Sequence, residues 1–350
     1  YMLATWRKKD PKSNEAGLKY YLMGVFASAL MLYGMSLIFG VSGSTILKDI
    51  NVALSNGDGN ISVITLGMVF VVIGFGFKVS AFPFHTWAPD TYEGAPTPVT
   101  AFLAVASKAA GFVALTNLVI IGFLGRGDVF QPLIWILAAL SMTAGNVMAL
   151  RQTNIVRLMA YSGIAQAGFI LAPLAVAGEG LAIADKSVSA VVTYLVIYAA
   201  MNIGAFGVIL AVSRKTKTAE LESYNGLFQT SPSIAIVMTI FLASLAGIPP
   251  LGGWYAKFSV FSSLTSAGTG WGYGLAVVAA INAVIAFGYY GKIAMRMWVE
   301  EPHEMLKGDL KIPVSLLTAL VLTTGATIAF GVAPGLVTHF TDVSLIAVGN

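Results

Sequence analysis

Three lysines lie inside long apolar stretches of this sequence, where a charged side chain needs a physical reason. They are Lys78, Lys108 and Lys257. An ionisable group in the hydrocarbon of a bilayer costs roughly 2.5–3.5 kcal/mol on insertion scales, so it persists only where it faces a protein interior or water. Because burial penalises the charged ammonium, modest changes in its surroundings could make each lysine gain or lose a proton. This residue type in this setting predicts a proton-transfer site.

Prolines interrupt two of the apolar stretches close to these lysines. Pro83 follows the first lysine by five residues, and Pro249 and Pro250 precede the third. Proline removes a backbone donor, and such a break at membrane depth is tolerated only where protein or a water-filled cavity satisfies the freed groups. Paired interrupted helices mark the ion pathway in transporters built from repeats. The pattern therefore predicts two discontinuous helices, each with its own lysine.

His85 lies in the first broken stretch, and two roles remain open for it. Its reference pKa is near neutrality, so it could pass protons. It could equally hydrogen-bond to carbonyl groups that the break exposes.

Each lysine also has a structural interpretation. Lys78 would be near mid-depth if the chain after Pro83 re-enters the membrane, and near the surface if the helix ends there. Lys108 falls ~15 Å along its span, near the midplane, and could be bonded permanently to carbonyls of a neighbouring helix. The stretch before Lys257 could instead join two complete spans. A fourth lysine, Lys292, is close enough to the end of its span to reach the interface.

The composition places these residues in a membrane protein. The chain has 350 residues, of which 57% are hydrophobic and 10% charged, against about a quarter charged in soluble domains. It has no cysteine, which excludes disulfides, thiolate metal sites and cysteine-bound iron–sulfur clusters. Three scattered histidines do not form a haem or zinc site. Any redox chemistry must therefore lie in a partner.

Nine apolar runs predict one polytopic helical domain over residues 1–350. Two of the runs would be ~40 and ~48 Å long as straight helices, more than the ~30 Å hydrocarbon core, so each needs a bend or break. The runs cover residues 17–40, 61–87, 97–123, 130–150, 155–177, 187–212, 232–266, 271–298 and 312–336.

Alternating these runs across a membrane separates the basic residues of the loops by thirteen to three. The richer side is expected to be cytoplasmic, with the C-terminus on the opposite side. The first residues resemble the end of a span, so we expect helices before Tyr1. The thirteen residues are Arg7, Lys8, Lys9, Lys12, Lys19, Arg151, Arg157, Arg214, Lys215, Lys217, Arg296, Lys307 and Lys311.

Several motifs around the lysines resemble the antiporter-like membrane subunits of complex I, and among them subunit N, also called subunit 2. A lysine at position 257 argues against the sister subunit M, and Asn14-Glu15-Ala16 with Leu18-Lys19-Tyr20 favours N over L. The matching stretches are Gly76-Phe77-Lys78, Pro83-Phe84-His85, Trp87, Pro89-Asp90, Tyr92-Glu93-Gly94-Ala95-Pro96, Ser107-Lys108, Gly145-Asn146, Gln152-Thr153-Asn154, Ala160-Tyr161-Ser162, Leu245-Ala246-Gly247-Ile248-Pro249-Pro250 and Lys257-Phe258.

The resemblance implies an all-α, polytopic transmembrane bundle with discontinuous helices and inverted repeats. Residues 1–123 would be the remainder of the first repeat, about 130–298 the second, and about 312–336 a C-terminal helix. Lys78 would be the lysine of the first broken helix, Lys108 the connecting lysine and Lys257 that of the second. The family pairs its first lysine with a glutamate on the preceding helix, a position that would lie before Tyr1, so we expect an N-terminally truncated sequence.

The implied function is proton translocation across the inner (plasma) membrane of a bacterial cell by a respiratory complex, coupled to quinone reduction in partner subunits. Flavin, iron–sulfur clusters and quinone are expected in those partners, which move electrons from NADH or ferredoxin. No cofactor or metal is expected in this chain. The expected partners are other membrane-arm subunits and the lipid bilayer, with no nucleic acid. Two alternatives remain: a subunit of a multi-subunit sodium/proton antiporter, and a passive scaffold whose lysines form fixed bonds.

Overall fold

The computed structural model describes residues 1–56, 61–306, 308 and 310–341. Within these ranges the chain is helical, with one isolated β-bridge and no strand. Lys307, counted above on the basic side, lies outside the described residues. The helices are α1 (Pro11–Ser42), α2 (Leu47–Ser55), α3 (Ile61–Val79), α4 (Trp87–Gly94), α5 (Thr97–Phe102), α6 (Lys108–Asn117), α7 (Gly127–Leu150), α8 (Ile155–Leu171), α9 (Leu181–Thr216), α10 (Leu227–Thr230), α11 (Pro232–Ala246), α12 (Gly252–Ser266), α13 (Gly270–Val299), α14 (Val314–Val332) and α15 (Gly335–Thr341).

Eight helical segments of the described chain are long and apolar enough to cross a membrane. One of them joins α5 to α6 through a π-helical turn at Leu103–Ser107. α11 and α12 have 15 residues each, which is too short to cross singly. Together they extend from one end of the bundle to the other. Ser266, the last residue of α12, accepts a hydrogen bond from Lys186 near the start of α9, and α11 begins at the opposite end of the bundle. The predicted all-α bundle with discontinuous helices is confirmed.

α8 is the centre of this bundle. In its membrane-crossing segment 94% of the most apolar window is buried, whereas in α1 and α14 the share is 22% and 17%. The outer helices present their apolar side chains outward, as expected for helices in lipid, where the neighbouring hydrocarbon is as apolar as the helix surface. The polar side chains of Ser162 and Gln166 on α8 are therefore enclosed by protein.

α1 and α3 pack antiparallel through small residues. A side chain at Gly74 of α3 would come within 2.4 Å of Met31 Cβ on α1, so the two helices are in close contact there. Near the end of α3 the ring of Phe77 stacks on Tyr20 of α1, with ring centroids 6.3 Å apart. Lys78 directly follows Phe77, one residue before the end of α3.

Five charged residues join α1, α4 and α8 at one end of the bundle, which we call the basic end; the opposite end is the far end. Lys12 pairs with Glu93 at 2.7 Å and Lys19 with Asp90 at 2.7 Å. Arg157 of α8 bridges both carboxylates, at 2.7 Å from Asp90 and 3.0 Å from Glu93. The network fixes α4, the helix that follows the first proline break, against the central helix.

Burial and hydrogen bonding have opposite effects on the two carboxyl groups of this network. Partial burial raises the pKa of Asp90, but the hydrogen bonds from Lys19 and Arg157 outweigh it, so its pKa is lower than usual. The pKa of Glu93 is also lowered on balance, because the bonds from Lys12 and Arg157 outweigh burial. A lowered pKa stabilises the fold above the unfolded-state value, and this contribution is lost as the pH falls through the folded-state value.

We predict that the double variant Asp90→Asn/Glu93→Gln loses less thermal stability than the parent when the pH is lowered from 7 to about 4, near the reference values of carboxyl groups. The variant has no network carboxylates to protonate. The measurement is the unfolding temperature of the purified membrane protein at each pH. Glu301→Gln serves as the control, because Glu301 forms no ion pair in the described structure. An equal pH-dependent loss in parent and double variant would contradict the prediction.

Candidate functional site

Lys108 is buried at the start of α6, directly after the π-helical turn. Only 2% of the residue is exposed, and its Nζ donates a hydrogen bond to the carbonyl oxygen of Gly163 on α8 at 2.8 Å. A side chain at Gly163 would come within 3.3 Å of Nζ, so glycine permits this approach. π-helical turns often occur at functional sites. In this state the ammonium has one acceptor among the described groups for its three protons.

Lys257 is buried at the second helix break. Its Nζ donates to the carbonyl oxygens of Leu245 at 3.1 Å and Ala246 at 2.7 Å, which close α11. The last carbonyls of a helix have no partner within it and carry a partial negative charge. The lysine therefore satisfies the groups that the break has freed. The ring of Phe169 lies 5.0 Å from Nζ and adds a cation–π contact.

The second break depends on two glycines. Gly247 has φ 94°, a conformation that favours glycine, and a side chain there would come within 2.9 Å of Lys257 Cδ. Gly253 donates its backbone N–H to Ser244 Oγ at 2.9 Å, which ties α12 to α11. Ile248 to Leu251, including Pro249 and Pro250, form the connection between the two half-helices.

The first helix ends earlier than its predicted limit. The sequence suggested a break at Pro83 within a run to residue 87, but α3 ends at Val79. A proline ring clashes with the carbonyl group four residues before it, and Val79 is four residues before Pro83. The same spacing separates Ala246, where α11 ends, from Pro250. The prolines set where both helices stop, four residues ahead of themselves.

The carbonyls freed at the first break are satisfied without a lysine. Ala81 donates its N–H to the carbonyl of Gly76 at 2.7 Å, and the indole of Trp87 donates to the carbonyl of Phe77 at 3.1 Å. Ser80 adopts φ 60°, which turns the chain out of the helix. The two breaks are therefore different in this chain, since only the second uses its lysine as a donor.

Lys78 is exposed in the described structure, one residue before the end of α3. A side chain added at Gly111 of α6 would come within 3.0 Å of Lys78 Cγ. The Lys78 side chain therefore lies against the helix that also carries Lys108. The sequence left the depth of Lys78 open; in the described structure Lys108 and Lys257 are buried. Lys292 is exposed near the end of α13, as its position in the sequence suggested.

A polar cluster on α8 connects the surroundings of the two buried lysines. Gln166 donates to the carbonyl of Leu245 at 3.2 Å, which is also bonded to Lys257, and to Tyr290 Oη at 3.1 Å. Tyr290 Oη and Ser162 Oγ are 2.6 Å apart, and either could be the donor. The hydroxyl of Tyr194 donates to the Gln166 side chain. Ser162 and Gln166 are one helical turn apart on one face of α8.

The same turn of α8 contacts Lys108. Gly163, its hydrogen-bond acceptor, directly follows Ser162 in the chain. Sequence reasoning missed Gln166, Tyr194 and Tyr290 as site residues. The available signal was a pair of polar residues, at 162 and 166, spaced for one helix face in an otherwise apolar run.

His85 lies between the first break and this cluster. It is 4% exposed, and its Nδ1 has no hydrogen-bond partner in the described structure. Its ring stacks on Phe82 at 5.0 Å and lies 6.4 Å from the ring of Tyr161 on α8. The hydroxyl of Tyr198 is also buried without a described partner. Such atoms are rare in native proteins and mark places where a further polar contact is available. Among the described residues, no group of three His, Asp or Glu side chains is placed to hold a metal ion.

Comparison with known proteins gives matches over most of the chain. It is 42% identical over 322 residues to NAD(P)H-quinone oxidoreductase subunit 2 of Picosynechococcus sp., covering 91% of this chain and 60% of that protein. It is 40% identical to NADH-quinone oxidoreductase subunit N of Trichlorobacter lovleyi, covering 97% of this chain and 68% of the relative. The chain thus spans about three fifths to two thirds of the length of these relatives.

The fold is also similar to a solved structure. A chain of respiratory complex I from Thermus thermophilus with bound aureothin superimposes with a TM-score of 0.81 and 32% identity, covering 97% of this chain and 71% of that one. The model of one family, described as NADH:quinone oxidoreductase/Mrp antiporter, TM, matches residues 1–283. The chain therefore belongs to the NADH:quinone oxidoreductase/Mrp antiporter family of membrane proteins.

Proposed function

We propose that this chain is a proton-translocating membrane subunit of an NADH:quinone oxidoreductase, with Lys108 and Lys257 as its proton-transfer groups. The observation that carries the proposal is the position of these two lysines on either side of one turn of α8. That turn binds Lys108 through Gly163 and shares the Leu245 carbonyl with Lys257 through Gln166. The names of the relatives support the type of complex.

The environment of each lysine suits a different step. Lys257 has two carbonyl acceptors at the negative end of α11 and an aromatic face, which together stabilise its protonated form. Lys108 has one carbonyl acceptor, so its charged form is less supported. Two cations in one interior of low dielectric also repel each other, so protonation of one disfavours protonation of the other. A proton on Lys108 would therefore pass toward Lys257.

The hydroxyl groups between the lysines can carry that proton, whereas the amide can only orient them. Tyr290 and Ser162 form a pair in which either hydroxyl can donate, so the direction of the bond can reverse. Gln166 fixes Tyr290 and binds the Leu245 carbonyl, which keeps the pair beside the second break. His85 and Lys78 would act on the other side of Lys108, toward the first break.

The two broken helices support an inverted-repeat organisation. The pair α3 and α4 runs from the far end to the basic end, and the pair α11 and α12 runs from the basic end to the far end. We assign residues 1–123 to one repeat, 130–298 to the second and 312–336 to a separate helix. We further propose that the basic end faces the cytoplasm of a bacterial cell. Thr341, the last described residue of the C-terminal part, lies within hydrogen-bond distance of Thr193, in the half of α9 nearer the far end.

In this proposal the redox chemistry belongs to partner subunits. Flavin, iron–sulfur clusters and quinone would be bound there, and this chain would supply the proton path within the membrane. The family also contains Mrp antiporters, so a sodium/proton antiporter subunit is the alternative. Proton movement that requires sodium and proceeds without quinone reduction would favour the antiporter.

We predict that Lys257→Arg lowers proton translocation by about a hundredfold or more, the lower end of general acid–base contributions. Arginine keeps the hydrogen bonds to the α11 carbonyls but does not release its proton, so a fixed structural role and a proton-transfer role give different results. The measurement is the initial rate of acidification driven by quinone reduction in vesicles that contain the assembled complex. Lys292→Arg is the matched control at an exposed position. Translocation at the parental rate in Lys257→Arg would support the scaffold interpretation instead.

We predict that Tyr290→Phe slows translocation while the complex still assembles. The ring and its packing are kept, but Ser162 and Gln166 lose their shared hydroxyl partner, and an unpaired buried polar group costs about 1–3 kcal/mol. The assay compares quinone-driven acidification with quinone reduction in the same vesicles. Tyr273→Phe, at an exposed position of the same helix, is the control. An unchanged ratio of protons moved to quinone reduced would exclude Tyr290 from the path.

A further inference from the structure

A cavity of about 390 Å³ opens at the basic end, between the N-terminal segment, the α4–α5 connection and the end of α9. Three exposed cations line it: Arg7, Arg214 and Lys217. Its remaining lining includes the polar residues Thr97 and Thr218. The cavity is thus a basic pocket with hydroxyl donors, outside the proton-transfer cluster.

The three cations of this pocket have no carboxylate partner within 4 Å in the described structure. Glu93 also lines the pocket, but its carboxylate is already bonded to Lys12 and Arg157. The pocket therefore retains an excess of positive charge, whereas the neighbouring ion network is balanced once Glu15, which also pairs with Lys19, is included.

The position of the pocket relates it to the membrane surface. Arg214 and Lys217 are in the last turn of α9 and directly after it, where that membrane-crossing helix leaves the apolar region. Leu210 lies one turn deeper on α9 and lines the pocket as well. Trp6, beside Arg7 in the chain, is 72% exposed, and tryptophan is favoured at the headgroup level of bilayers. Cations above and apolar residues below match an amphiphile with a negatively charged head.

We propose that this pocket binds the phosphate headgroup of an anionic phospholipid, with the acyl chains descending along α9. Clusters of basic residues at a membrane surface attract anionic lipids, and Arg and Lys donors suit phosphate oxygens. A bound headgroup would neutralise the pocket and join the N-terminal segment to α9 next to the ion network that anchors α4.

The test uses the protein in nanodiscs of phosphatidylcholine with a small fraction of photoactivatable phosphatidylglycerol, together with the subunits that purify with it. After illumination, mass spectrometry identifies the labelled peptides, and unlabelled phosphatidylglycerol is titrated as competitor. The expected result is competable labelling of the segments that contain residues 1–10 and 210–219. Arg214→Gln/Lys217→Gln should weaken the competition roughly thirtyfold, since each basic residue at a membrane surface contributes about fivefold.

The control is Lys8→Gln/Lys9→Gln, which removes the same charge from the same end of the molecule but not from the pocket lining. If the double variant does not assemble, Lys217→Gln alone is measured instead, and its competition by phosphatidylglycerol is expected to weaken less. Unchanged labelling in the pocket variants would overturn the proposal. So would equal competition by phosphatidylcholine, competition by inorganic phosphate alone, or the absence of label because a partner subunit covers the pocket.

Discussion

This structure depends on the pairing of the backbone carbonyl groups that two helix breaks leave without a partner. Inside a bilayer no water is available to pair with them, so the protein must supply donors. At the first break the backbone N–H of Ala81 and the indole of Trp87 do so. At the second break Lys257 does. The charged group in the interior and the interrupted helix therefore stabilise each other, because each provides what the other lacks.

α8 makes the two buried lysines part of one arrangement. It has the most enclosed membrane-crossing segment of the described bundle, and its Ser162 and Gln166 side chains are buried against other helices. A hydrogen bond on one side of its turn at residues 162–166 holds Lys108, and one on the other side holds the end of α11. The hydroxyl pair of Ser162 in this turn and Tyr290 on α13 can change its direction of donation without a change in backbone conformation, which suits proton transfer better than a fixed ion pair would.

The charged residues of the basic end have a separate structural role. α4 is only eight residues long and follows a proline break, so little intrinsic stability holds it in place. The partly buried carboxylates of Asp90 and Glu93 bind it to α1 and α8. Because α4 leads directly into the helix that carries Lys108, this anchoring also fixes the position of that lysine. The neighbouring basic pocket lies against the same connection.

The sequence by itself determined the membrane class and the lysines worth attention, because hydropathy and charge depend on residue type alone. It also located both breaks, to within the four residues over which a proline ring acts on the preceding helix. It could not decide that Lys108 and Lys257 are enclosed by protein, since hydropathy along the chain does not show what packs against a helix. Nor could it identify Tyr290, Tyr194 and Gln166 as one cluster. These residues come from three helices, and only the packing of those helices places their polar atoms within hydrogen-bond distance.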